Sequence, residues 1–109
     1  MNCYRLQGPL KTDAHARVYG DGTETVLIVI DQQGGEPVMA ERSFGTGPAA
    51  SYAASNAARA MKRGTQVTVH GKRLSHRRYH GAQVLVLEAV DYIEHAPAPT
   101  HAEPATAEV

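Results

Sequence analysis

The chain has 109 residues, 42% of them hydrophobic, and one cysteine. That is enough for a single domain with one modest core. It holds no run near the roughly 20 apolar residues that a membrane span needs, no signal-peptide pattern at its start, and no partner for an internal disulfide. The formal charge is zero, yet it is a cancellation between segments. Residues 1–41 carry three bases and six acids, residues 42–87 eight bases and no acid, and residues 88–109 five acids and no base. A carboxylate-free stretch of that length attracts an anionic partner.

In chain order, "YRLQGPLK" reads as a first strand kinked at Gly8-Pro9. Next, "HARVYGDGTETVLIVIDQQGGEP" carries the strongest signal. His15 to Tyr19 pairs across Gly20-Asp21-Gly22 with the β-branched run Thr25 to Ile30, which ends at Gly34-Gly35. Pro37 to Phe44 is a third, weaker strand, with proline at its first position. The chain then changes character at "GTGPAASYAASNAARAMKRG". Pro48 at the first helical position, alanine through the body, Lys62 and Arg63 in the last turn and Gly64 as the stop predict a helix of about 15 residues, with Tyr52 and Met61 the large members of its buried face. "QVTVHGKRL" alternates again, interrupted at Gly71 where a bulge fits, and Ala82 to Glu94 is the last strand. The order is β-β-β-α-β-β within one domain, residues 1–94. Residues 95–109, rich in proline and alanine, are expected to form a disordered tail.

The stretch "HGKRLSHRRYHG", residues 70–81, concentrates the chemistry. A zinc site on His70, His76 and His80 fails on spacing, since residues 70 and 76 are roughly 20 Å apart on an extended strand. No cysteine or carboxylate in the run completes a shell or orients a histidine as a base, so neither metal nor catalysis is expected. Cys3 has no catalytic signature around it. What remains is a row of bases around a tyrosine, which pairs guanidinium contacts to phosphate with a ring that stacks on a base.

Five strands with one helix between the third and fourth is the order of an OB-fold barrel, whose open face commonly binds single strands. The residues themselves resemble bacterial single-stranded DNA-binding proteins. "MKRGTQVTVHGKRLSHRRYHG...VLVLEAVDYIE" looks like the second half of that family: a helix ending in Lys/Arg-Gly, a V-x-V-x-G-x-L strand, a basic-aromatic stretch and a closing strand. "LQGPLKTDAHARVYGDGTETVLIVI" is similar to its first half, and the likeness spans about residues 4 to 94. The small primosomal replication protein that shares the fold is a close alternative. The resemblance implies stacking rings at Phe44 and Tyr79, an arginine contact at Arg17 and basic strand residues at Arg73 and Arg77, and the acid-free basic segment adds Arg42, Lys62, Lys72 and Arg78 as candidate nucleic-acid contacts.

Two departures weaken the likeness. Positions where the family usually has tryptophan are here Val38 and a loop residue near Gln33, and the acidic, phenylalanine-ended C-terminal tip that recruits other proteins is absent. The resulting expectation is a cytoplasmic, nucleoid-associated, non-enzymatic OB-fold protein, a dimer or tetramer needing no cofactor. It would bind single-stranded DNA, or RNA by the same contacts, with little sequence preference during replication, recombination or repair. The rivals are a primosome-type module that docks a replication protein and a small histidine-dependent metal protein or enzyme.

Overall fold

The computed structural model describes residues 3–95. It is mostly β with one helix: β1 (Tyr4–Pro9), β2 (His15–Val18), β3 (Glu24–Ile30), β4 (Val38–Gly45), α1 (Pro48–Ala60), β5 (Gln66–Tyr79) and β6 (Ala82–His95). The strands form one open mixed sheet in the order β1-β5-β6-β4-β3-β2. Every neighbouring pair is antiparallel except β4 and β6, which run parallel over Val38–Ala40 and Leu85–Leu87.

This corrects the expectation of five strands. The partner of β3 is a strand in its own right, because the chain leaves β5 after Pro9 and turns through Thr12 and Asp13 before β2 begins. On the way it touches β3: Lys11 N–H donates to Val29 O at 2.8 Å, Asp31 N–H donates to Pro9 O at 2.9 Å, and Leu10 bridges Ile30. The two ends of the strand order are thereby drawn toward each other. The tail expectation falls on residues outside those described, apart from His95, which completes β6.

β3 is buried on both faces, which is why its sequence is a continuous apolar run and not an alternation. Val26, Ile28 and Ile30 point to the main core with Ala40, Val69 and Leu87. Leu27 points the other way, into a second, smaller cluster with Met39 and Val86. Each fully buried Ile, Leu or Val side chain contributes about 1.5–3 kcal/mol. The helix closes the main core with its alanines, Ala50 and Ala54 being buried, so it lies close to β3 while burying little of its own area.

Two details of the helix differ from the sequence reading. Tyr52 is 71% exposed, so the small alanine face alone is buried. Lys62 and Arg63 lie beyond the helix: Met61 is extended, its carbonyl accepts from Ala14 N–H at 2.9 Å, and a turn from Lys62 to Thr65 follows. The basic residue of the last helical turn is Arg59.

The β5–β6 pair is a hairpin of two 14-residue strands with a register shift at His70/Gly71. Gly71 is required there by close approach. A Cβ on it would sit 2.7 Å from Leu87 Cγ and 2.9 Å from Glu88 O. Ala89, beside this irregularity, has φ 53, a left-handed conformation that costs a non-glycine residue about 1–2 kcal/mol. Gly71→Ala is expected to destabilise the protein by about 1–3 kcal/mol through overpacking, and Ala89→Gly to be neutral or stabilising by up to about 1 kcal/mol. Urea denaturation of the two variants beside the parent checks both signs.

Candidate nucleic-acid interface

Strand pairing sorts the site residues between two faces of the sheet. On β4, Ala40 and Arg42 stand opposite Ile28 and Val26 and share the face of the main core, whereas Glu41 stands opposite Leu27 on the face of the second cluster. On the hairpin, Arg73, Ser75, Arg77 and Tyr79 are paired with Glu88, Val86, Val84 and Ala82 on that second face. His76 and Arg78 alternate to the other face, but Arg78, one residue from Tyr79 near the hairpin tip, still borders the groove around that ring. Arg17, opposite Thr25 on β2, joins the second face.

Phe44 and Tyr79, the two rings expected to act together, are therefore on opposite sides of the sheet. Phe44 packs against the main core and carries the Arg42 guanidinium 4.8 Å above its ring. Tyr79 packs against Leu27, Met39 and Val86 and meets His80 edge-on at the hairpin tip, at 4.3 Å between ring centres. Lys62 belongs to a third region. Its backbone N–H donates to Thr65 Oγ1 at 3.2 Å in the turn after the helix, and Arg63 beside it donates to Asp13.

Around Tyr79 the second face forms a shallow groove of about 180 Å³, with Leu27, Met39, Val84 and Val86 in its lining and Arg17, Tyr19, Arg77 and Arg78 alongside. Tyr19 was not singled out in the sequence, where it reads only as the residue before a glycine turn. Its hydroxyl donates to Glu41, and Arg77 Nη1 donates to the same hydroxyl at 3.3 Å. Arg77 is the centre of the network. Its Nη2 donates to Glu41 at 2.7 Å and to Glu88, and its Nε donates to Glu88 at 2.9 Å. Arg73 Nε reaches the other oxygen of Glu88 at 2.8 Å.

The acid-free segment is thus not acid-free in space. Glu41 and Glu88 are the residues immediately outside it in sequence, and folding brings both onto Arg77. Lys72 is likewise 3.6 Å from Asp91, and His70 lies 4.0 Å from Glu94. Among the described residues no carboxylate pairs with Arg17, Arg42 or Arg78; Arg17 lies 6.0 Å over the Tyr19 ring, and Arg78 donates to Gly81 O at 3.3 Å. These three guanidiniums can take an anion without first breaking an ion pair.

The network moves its members away from neutral titration. Burial alone would raise the Glu88 carboxyl, but the nearby Ser75 hydroxyl and the donating Arg77 and Arg73 guanidiniums outweigh it and hold the group at about 2. Hydrogen bonding to Glu41, opposed by burial and aided by Glu88, raises Arg77 further above its ordinary value. Burial, with the bond to Glu41, also raises the Tyr19 hydroxyl. Groups held in this way keep a fixed charge near pH 7 and make poor proton shuttles.

Among the described residues no three histidine, cysteine, aspartate or glutamate side chains come together as a metal set, and no helix is long and apolar enough to cross a membrane. No protein-family model and no curated protein matches the chain.

The network has a defined acid signature. Glu88 ionises well below the ordinary 4.5, so the stability that it supplies is complete above about pH 4.5 and is lost as pH falls toward about 2. In Glu88→Gln, the urea midpoint should be lower at pH 7 and fall less steeply over that acid window. Arg77→Met leaves two nearly buried carboxylates facing each other. It should cost about 1–3 kcal/mol at pH 7, discounted from the fully buried case because Arg77 is one-third exposed.

Proposed function

We propose that this chain is a binding protein for single-stranded nucleic acid, and that the groove around Tyr79 is its contact surface. The observation that carries the reading is one half-buried tyrosine and one exposed tyrosine lining the same shallow apolar groove, with the unpaired Arg17 and Arg78 beside them. Rings on an apolar floor suit unstacked bases, and unpaired guanidiniums suit phosphates. At about 180 Å³ the groove is below the roughly 300 Å³ at which small-molecule sites begin, which favours a chain passing over it to a metabolite enclosed in it. A binding role without catalysis agrees with the fixed protonation of Glu88, Arg77 and Tyr19.

The same proposal includes an OB-type barrel. Its support is the parallel β4–β6 pairing, the β1–β5 pairing, and the hydrogen bonds by which Pro9 and Lys11 carry the end of β1 onto β3, so that β1 and β2 act as two halves of one bent strand. Resemblance in the residues to bacterial single-stranded DNA-binding proteins points the same way. DNA and RNA share the stacking and phosphate chemistry invoked, so competition between them measures the preference.

Ion pairing on the surface sets the expected strength. With Arg77 and Arg73 engaged by Glu41 and Glu88 and Arg42 on the opposite face, Arg17 and Arg78 are left to meet phosphates at the groove, and the slope of log affinity against log salt should be roughly −1.4. Fluorescence anisotropy of a labelled oligo-dT between 20 and 200 mM salt, on the order of the range over which such slopes are read, tests this. Absence of any salt-sensitive binding by the folded protein would refute the function.

Tyr79 needs a substitution that separates its two roles, since its ring also covers the second cluster. Tyr79→Ala should lower both affinity and melting temperature. Tyr79→Leu should keep most of the packing and lose about 1–3 kcal/mol of binding. Equal affinity of Tyr79→Leu and the parent would show that the ring serves the core alone.

A further inference from the structure

We propose that Tyr19 is a second base-contacting ring, and that with Tyr79 it bounds a slot for one nucleobase in which Arg77 acts as a positioning residue. The proposal rests on the single-strand-binding reading above and adds which residues shape the subsite.

Tyr19 follows β2 at the start of a tight turn. Its backbone is held on both sides, Tyr19 N–H donating to Thr23 O and Gly22 N–H to Tyr19 O, each at 2.9 Å. The residue is 37% exposed, and its hydroxyl is tied between Glu41 and Arg77. An exposed tyrosine beside a turn ordinarily samples several rotamers. This one is anchored at both ends, by its backbone in the turn and by a hydroxyl bonded to groups from β4 and β5. A ring ordered in advance loses little entropy when a base stacks on it.

Tyr19 and Tyr79 line the same groove, whose floor is Leu27, Met39 and Val86, side chains that offer dispersion contacts but no hydrogen bonds. Arg17, 6.0 Å over the Tyr19 ring, places an unpaired cation at the edge of the groove. An apolar floor reads no base edge, so the slot accepts any base, and rings of purines and pyrimidines alike gain from stacking.

Arg77 takes a different part from the one that its position in a basic run suggests. Its guanidinium donates to two carboxylates and to the Tyr19 hydroxyl. It links Glu41 on β4 to Glu88 on β6 and, through the Tyr19 hydroxyl, ties the residue after β2 to the hairpin.

The test uses the full chain and a labelled oligo-dT at low salt. Tyr19→Leu should lower affinity by about 5- to 100-fold, the range that one stacked base supplies, with the melting temperature nearly unchanged. Tyr19→Phe keeps the ring but loses the tether and should fall between that variant and the parent. Titration of the unmodified protein with thymidine monophosphate should shift the ring resonances of Tyr19 and Tyr79 together. This measurement remains informative if the variants fold poorly. Parent-like affinity in Tyr19→Leu, or shifts at Tyr79 alone, would overturn the slot while leaving single-strand binding intact. Failure of the parent to bind oligo-dT would instead remove the functional reading and the slot with it.

Discussion

The guanidinium of Arg77, shared between Glu41 on β4 and Glu88 on β6, fastens together parts of the sheet that backbone pairing joins weakly. β4 and β6 are paired over only three residues each, and beyond that contact the β5–β6 hairpin continues as a two-stranded ribbon. A two-stranded ribbon in water is marginal by itself. Two things hold this one: the second apolar cluster of Leu27, Met39 and Val86 with Tyr79 packed on it, and the ion network beside that cluster. The two support each other. The low-polarity floor limits water around the carboxylates and strengthens the pairing, and the pairing keeps the hairpin over the floor.

The same network governs what the surface can do. Counting bases along the chain suggests a strongly positive groove, but Arg73 and Arg77 are balanced by Glu41 and Glu88 before any ligand arrives. The surface that remains is aromatic and apolar with a few unpaired arginines. On the single-strand-binding proposal, affinity there depends more on ring faces than on net charge and only modestly on salt.

Much of the fold was legible. The hairpin across Gly20-Asp21-Gly22, the buried run Thr25 to Ile30, the proline-started alanine helix and the irregularity at Gly71 all lie where local patterns put them. Where the fold departs from local pattern, tertiary contacts are the cause. The helix stops at Ala60 because the Met61 carbonyl bonds to Ala14, a contact invisible to propensity. Tyr52 is outside because it lies about 200° around the helix from Ala50 and Ala54, the residues that face the core. At the site, Tyr79, Arg17 and Arg78 were readable as chemistry. Tyr19 was not, because a tyrosine before a glycine turn carries no signal until the turn is placed beside the hairpin.

The sequence by itself determined the elements, the apolar runs and the concentration of bases in residues 42–87, because these depend on local propensity and on a simple count. Tertiary structure alone decided which bases are already paired and which rings share a surface. Strand parity sends Phe44 and Tyr79 to opposite faces, and sheet pairing brings Glu41 and Glu88, 47 positions apart along the chain, onto one guanidinium. Charge along a chain is additive, but a site is made by proximity, and proximity between strands is set by register.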